Sequence, residues 1–360
     1  SLSAVYVYYN SERFGLAILL AFIALSGELK IIYPLAAKTV NTPVEKLVNL
    51  YYYLDAKRIL KQSKNLIIIG ITGSYGKTSS KYILSRILSA RYNVLMTPES
   101  YNTLMGVVRT VREHLRPVHE VFVVEMGAYK RGEIKEICDL VKPEYGLLTT
   151  IGPQHLDTFK SIDNIVKTKY ELIEAVKNGT AFLNFENEFI RERKSGGKYL
   201  SFGINNKSLY YWAEDLRNDS RGSSFTFCTY KNERLELRTQ LLGSHNILNI
   251  ASACAVAMEL GISAGDISYA VSQIPPVPHR LELKSSPSGI SIIDDAFNSN
   301  PVGAMEAMNV LSKFESPMRM LITPGMVELG EREHEYNRKF GERAAKCCDY
   351  IILVGRKRAE

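Results

Sequence analysis

Seven consecutive residues have the types and spacing to hold phosphate: Thr72-Gly73-Ser74-Tyr75-Gly76-Lys77-Thr78. The glycines let backbone N–H groups approach an anion, Lys77 reaches the outer phosphates, and Thr78 offers its hydroxyl to Mg²⁺. A β-branched run, Ile67 to Ile69, leads into the turn, and Ile83, Ile87 and Leu88 recur at helical spacing after it. Strand, glycine turn and helix N-terminus together form a phosphate cradle. The general P-loop spacing asks for glycine five residues before Gly76, where this chain has Ile71; the shorter Thr-Gly-Ser-x-Gly-Lys-Thr form fits. The alternative is a plain glycine-rich turn, which has no need of the Lys-Thr pair.

Further candidates stand at the ends of apolar runs. Glu125 closes Val121-Phe-Val-Val-Glu125, so it is either a Mg²⁺ ligand at a ligand-facing sheet edge or a solvated strand-end carboxylate. His155 follows the run ending at Thr150 and reaches the same edge, as a ligand or as a structural histidine. Lys167 and Lys169 share a helix whose default reading is a solvated basic face. Asn246 and Asn249, three apart at a helix start, could read a base edge or simply face solvent behind a Ser244 or His245 cap. Arg280 follows the Ile274-Pro-Pro-Val-Pro-His279 segment, where it could clamp a phosphoryl group on domain closure or pair with a surface acid. Asp294-Asp295-Ala-Phe-Asn298-Ser-Asn300 is dense in oxygen ligands, or is a turn with an N-cap.

The elements that must position these groups alternate. Strands are expected at Leu66–Ile71, Asn93–Met96, Val121–Glu125, Tyr145–Thr150, Thr180–Asn184 and Lys198–Gly203, with helices between them. That order predicts an α/β fold with a doubly wound, mostly parallel P-loop-type sheet. Leu209–Leu242 alternates in short runs, which suggests an antiparallel addition, and a helix follows at Asn246–Leu260. The proline-rich segment marks a boundary. Beyond it, strands at Ile290–Asp294, Met318–Thr323 and Tyr350–Val354, with two helices, suggest a second, Rossmann-like α/β domain that is incomplete. Three regions result: 1–63, membrane-like and juxtamembrane helices; 64–275, the nucleotide-binding domain; 276–360, the C-terminal domain.

Composition narrows the class. The net charge of +7 over 360 residues is spread along the chain and makes no case for nucleic acid. Five cysteines without C-x-x-C spacing argue against a disulfide framework and for a reducing, cytoplasmic setting. Residues 14–37 are largely apolar, flanked by Tyr6, Tyr8, Tyr9 and Tyr33, and followed by Lys38, Lys46, Lys57, Arg58, Lys61 and Lys64. The expectation is a membrane contact that tethers cytoplasmic catalytic domains to the inner face. A helix starting near Thr42 would lead from it to the nucleotide domain.

Taken in order from about Leu66 onward, these motifs resemble the Mur ligase family, and within it the MurF-type branch that adds D-alanyl-D-alanine to a UDP-muramoyl-tripeptide. The matching residues are Thr72–Thr78, Asn102-Thr103 with Gly106, Glu125-Met-Gly-Ala128, His155-Leu156, Lys167-Thr-Lys169, His245-Asn246 with Asn249, His279-Arg280-Leu-Glu282, Asp294–Pro301 and Glu328-Leu-Gly330. The resemblance implies ATP, two Mg²⁺ ions and an acyl phosphate that an amine displaces. It implies that Gly73, Ser74, Tyr75, Gly76, Lys77 and Thr78 hold the phosphates, that Thr78 and Glu125 hold the first Mg²⁺, and that His155 and a carbamylated Lys169 hold the second. Asn246 and Asn249 would contact adenine, and Arg280 and Asp295 would reach the nucleotide from the last domain. Asn102, Thr103 and Asn298 would meet substrate. The implied partners are a peptide-bearing wall precursor and an amino acid or dipeptide. Two departures stand out. The family's UDP-sugar domain has no counterpart before Leu66, and Pro324-Gly-Met-Val-Glu-Leu-Gly330 lacks the family's Asp. Two other readings remain: a folylpolyglutamate- or poly-glutamate-type ligase, and a non-catalytic ATP-binding membrane subunit.

Overall fold

The computed structural model describes residues 41–355, apart from 177, 194–196, 220–221, 287–288, 297–299, 315, 328 and 330–331. The chain falls into two compact units, residues 1–55 and 56–360. Residues 41–62 are helical (α1), with Val44, Leu47, Val48, Leu50, Tyr51 and Leu54 exposed. Among the described residues no helix is long and apolar enough to cross a membrane. The apolar run at 14–37 lies outside the described residues.

In the second unit strands and helices alternate as β1 Ile67–Thr72, α2 Lys77–Leu88, β2 Val94–Met96, α3 Leu104–His114, β3 Val121–Glu125, α4 Glu133–Val141, β4 Tyr145–Leu148, α5 Leu156–Phe159, α6 Ile162–Ala175, β5 Thr180–Asn184, α7 Glu188–Arg191 and β6 Tyr199–Ile204. Then come β7 Tyr211–Asp219, β8 Gly222–Thr229 and β9 Arg234–Thr239, followed by α8 Ser244–Glu259 and α9 Ala264–Ser272. One nine-stranded sheet results, in the order β2-β3-β1-β4-β5-β6-β7-β8-β9. It is parallel from β2 through β7, and antiparallel at the β7–β8 and β8–β9 pairs, as the short alternating runs suggest. The remaining elements are β10 Glu282–Ser285, β11 Ser291–Asp294, α10 Pro301–Leu311, β12 Met320–Thr323, α11 Glu333–Cys347 and β13 Tyr350–Leu353. Strands β10 and β11 pair antiparallel, and β12 and β13 pair parallel.

The central sheet buries both faces, so its strands are almost uniformly apolar rather than alternating. Ile69, Ile71, Val123 and Phe182 pack with α2 and α8 residues such as Ile83, Leu84, Ile247 and Ile250. On the other face α6 comes unusually close to β1 and β4. A Cβ on Gly70 would sit 2.6 Å from Leu172 Cδ1, and one on Gly146 3.2 Å from Leu172 Cγ. These two glycines therefore set the distance of α6 from the sheet, and with it the position of Lys169. A smaller cluster joins Ala304 and Met308 of α10 to Phe340 and Ala344 of α11.

Strand order fixes where a ligand can sit. The chain runs from β1 outward to β2, returns through β3, and crosses to β4 on the opposite side of β1. In such sheets the crevice opens beyond the C-terminal ends of the strands, where the order reverses. The register Ile71↔Glu125 and Thr72↔Leu148 brings the Gly73–Thr78 turn, Glu125 and the segment after β4 to that one edge.

Candidate active site

The turn between β1 and α2 is held from several sides. Gly73 has φ +152° and a Cβ there would meet Thr149 Oγ1, so no larger residue fits. Ser74 N donates to Thr150 O, Ser74 Oγ donates to Gly152 O at 3.0 Å, and Thr149 Oγ1 donates to Tyr75 O at 2.6 Å. Gly76 takes the left-handed conformation that starts α2, φ +82°, and a Cβ there would lie 3.0 Å from Asn249 Oδ1. Lys77 Nζ donates to the carbonyls of Gly73 and Ser74 at 2.8 and 3.0 Å, so its ammonium lies over the loop.

Glu125 is buried, which rules out the solvated reading. Its Oε1 accepts from Thr78 Oγ1 at 3.1 Å and from Asn102 Nδ2 at 3.2 Å. Its Oε2 lies 3.1 Å from Lys81 Nζ, an ion pair without hydrogen-bond geometry. Oxygens on adjacent corners of an octahedral Mg²⁺, each ~2.1 Å from the ion, are ~3 Å apart. The Thr78–Glu125 separation has that span, so the pair fits a Mg²⁺ edge.

The two lysines of α6 separate cleanly. Lys167 is on the solvent side, 2.6 Å from Asp163 one turn back. Lys169 is buried, with its Nζ 5.9 Å from the Phe159 ring centre. Burial pushes the Lys169 amine well below the usual lysine range, and the nearby positive charge of Lys77 adds to this. His155 takes a left-handed backbone at the start of α5, and its ring lies 4.5 Å from that of Tyr129.

Asn246 and Asn249 are buried, not solvent-facing. Asn246 Nδ2 donates to Leu242 O at 2.9 Å, and Asn249 Oδ1 accepts from Ser80 Oγ at 3.2 Å. Gly243 caps α8, while Ser244 N and Oγ both donate to Glu306 of α10 at 2.7 Å. Asn249, Gly76, Arg280, Asp295 and Asn300 line one cleft, and Asn246 is not among its lining residues. Burial lowers the Arg280 guanidinium, opposed by the charges of Glu125 and Asp295. Thr103 is spent locally: its hydroxyl caps α3 by accepting from Gly106 N at 3.3 Å. Asn298, Glu328 and Gly330 lie outside the described residues.

Asp295 accepts from Leu281 N at 3.1 Å, and desolvation pushes its pKa from 3.8 up to about 6. A carboxyl raised in the folded state stabilises fully below its unfolded value, and that contribution is lost as pH rises through about 6. Asparagine keeps the acceptor oxygen without the charge. Urea melts at about pH 4.5 and about pH 8 are expected to show Asp295→Asn gaining on the wild type as pH rises. A constant difference would place Asp295 in water.

The motif readings missed Lys81. It is among the largest fully buried side chains of the described residues, one turn beyond Lys77 on α2. With it, three cations, Lys77, Lys81 and Arg280, act on the buried carboxylate Glu125, a field suited to a polyanion, and Lys169 lies near Lys77.

Residues 71–257 match the Mur ligase middle domain, and residues 279–360 match the Mur ligase glutamate ligase domain. The chain belongs to the Mur ligase family. Curated relatives include the UDP-N-acetylmuramoyl-tripeptide–D-alanyl-D-alanine ligases of Bacillus subtilis, 29% identical over 76% of this chain and 59% of that one, and of Escherichia coli, 30% identical over 81% and 65%. The crystal structure of MurF from Acinetobacter baumannii matches with a TM-score of 0.79 at 27% identity, covering 86% of this chain and 68% of that one. This Mur ligase chain thus spans about three fifths of the length of the curated relatives it matches.

Proposed function

We propose that this Mur ligase is an ATP-dependent amide ligase of cell-wall precursor synthesis, forming ADP and phosphate through an acyl phosphate. The observation that carries the reading is the group of three buried or half-buried cations, Lys77, Lys81 and Arg280, around Glu125 beside the Gly73–Thr78 loop. A substrate carboxylate oxygen attacks the terminal phosphorus of ATP, and the bond to the ADP oxygen breaks. The amine nitrogen of the second substrate then attacks the acyl carbon. Phosphate leaves with the electrons of the carbon–oxygen bond, and the nitrogen gives its proton to solvent.

Most of this chemistry is positioning and charge neutralisation. In this reading Lys77 and the loop amides from Gly73 to Thr78 hold the phosphates. Thr78 and Glu125 hold one Mg²⁺, and His155 and Lys169 hold another. Bound Mg²⁺ supplies neutralisation of the phosphate charge. Lys169 takes up CO₂: its neutral amine forms an N–C bond and loses a proton, giving an anionic carbamate. Asn246 and Asn249 frame the adenine, Arg280 and Asp295 approach the nucleotide from residues 276–360, and Asn102 meets the acyl substrate; the family resemblance also gives substrate contacts to Thr103, whose hydroxyl caps α3, and to Asn298, which lies outside the described residues. The division into 1–63, 64–275 and 276–360 belongs to this proposal, as does an inner-face membrane contact through residues 14–37.

The similarity to muramoyl-tripeptide ligases favours a peptide-bearing precursor as acid and a dipeptide as amine over a polyglutamate ligase. The membrane contact favours a lipid-linked or otherwise unusual precursor. The test is phosphate release from ATP with D-alanyl-D-alanine and either UDP-muramoyl-tripeptide or its lipid-linked form. Release that needs both acid and amine is expected, with preference for the lipid-linked acid. A clear preference for the soluble nucleotide rejects the lipid assignment, and glutamate as the only productive amine selects the polyglutamate reading.

A further inference from the structure

Lys81 has no role in the assignments above, yet it occupies a costly position. Its side chain is fully buried, and its Nζ faces Glu125 Oε2 at 3.1 Å while donating to the carbonyl of Glu99. An enclosed ion pair is weak support for stability, because desolvating both charges offsets their attraction and an apolar pair of the same volume does as well. The pair therefore calls for another explanation, and the rest of Glu125 supplies one. Its two oxygens are treated differently. Oε1 meets two neutral donors, the Thr78 hydroxyl and the Asn102 amide. Oε2 lies 3.1 Å from the Lys81 ammonium and, among the described residues, accepts no hydrogen bond.

We propose that Lys81 is a positioning residue that closes Oε2, so that Glu125 offers a divalent cation only Oε1, beside the Thr78 hydroxyl. This rests on the reading of Thr78 and Glu125 as metal ligands. The consequence is selectivity. Mg²⁺ takes near-ideal octahedral geometry, while Ca²⁺ accepts both oxygens of one carboxylate in a larger, looser shell. A carboxylate with one oxygen closed favours the smaller ion. The same ammonium ties down the loop that carries Asn102. Glu99, whose carbonyl it holds, has a left-handed backbone with φ 38°. Asn102 in turn donates to Oε1 at 3.2 Å. Lys81 therefore orients the carboxylate twice, through Oε2 directly and through Asn102.

The experiment is nucleotide binding by calorimetry, with Mg²⁺ or Ca²⁺, in the full chain and its variants. For Lys81→Met, the preference for Mg²⁺ over Ca²⁺ is expected to fall about tenfold, the scale typical of residues that orient a metal ligand. For Lys81→Arg, which restores a cation next to Oε2, most of the preference should return. A merely structural lysine would change both affinities together and leave their ratio alone. Thermal melts without nucleotide report folding. If the methionine variant does not fold, Lys81→Gln gives the same test, because its amide can still reach the Glu99 carbonyl but brings no charge to Oε2. Glu125→Gln separates the two levels of the argument. If it leaves binding with both ions unchanged, Glu125 is not a metal ligand and the proposal falls with that reading. If it weakens binding but the lysine variants keep the wild-type ratio, the proposal alone is overturned.

Discussion

Lys169→Ala is expected to cut ATP-dependent phosphate release by about 10²–10³-fold, the scale of losing one group that stabilises developing charge, and short carboxylates such as acetate are expected to restore part of it. The argument begins with burial. Lys169 is 3% exposed, and its nearest ring contact is Phe159. The cation Lys77 is close enough to disfavour a second positive charge, and Glu171 and Glu133 oppose this only in part. An ammonium there would be desolvated beside a like charge, so the neutral amine is favoured. In the proposed reading this amine adds CO₂, and the carbamate would reverse the sign of the side chain. The negative group would then complement Lys77 and present two oxygens to a metal. Alanine removes both oxygens and leaves room for a small carboxylate to bring them back. Two further readouts separate this from a packing defect. Depleting dissolved CO₂ should lower the wild type and leave the rescued variant alone. A cooperative thermal melt of the variant would show that it still folds. Full activity in CO₂-free buffer would end the idea.

The phosphate loop was legible because its chemistry is local: glycine, lysine and threonine at fixed offsets need only a strand before them and a helix after. What surrounds the loop was less legible, because strand neighbours are set by contacts distant in sequence. The run Val121 to Glu125 reads as a strand, but nothing in it announces pairing with β1 at Ile71↔Glu125. Lys167 and Lys169 show the same limit. Residues two apart on a helix point to nearly opposite sides, and which side is inward depended on Leu172 seating over Gly70 and Gly146. Thr103 illustrates the converse, since a hydroxyl that matches a substrate motif also caps α3. Two features had cues that went unread. Lys81 is four residues after Lys77 and shares its face. Helix α9 follows Ser263-Ala-Gly-Asp266, and Ser263 does accept from Asp266 N at its start.

Lys77→Met should be the most damaging change, lowering phosphate release on the order of 10³-fold. Lys77 Nζ is held by two carbonyls of the loop itself, Gly73 and Ser74. Its charge is drawn toward Glu125 and opposed by Arg280. Those two contacts hold a single point charge against the loop, where in the proposed reading a terminal phosphoryl group would gather negative charge as it transfers. Methionine keeps the length and apolar stem and removes only the charge and the donors. The loss should therefore fall on kcat more than on nucleotide affinity, since the loop amides and the Asn249 cleft remain. Arginine should not substitute. The ammonium fits between two carbonyls 2.8 and 3.0 Å away, and a planar guanidinium is too broad for that seat. The same variant decides between catalysis and mere binding. A chain that only binds nucleotide would lose affinity in Lys77→Met and have no turnover to lose. Phosphate release within about tenfold of the wild type, with nucleotide still bound, would mean that the transferred group lies elsewhere, and the site built around this loop would have to be abandoned.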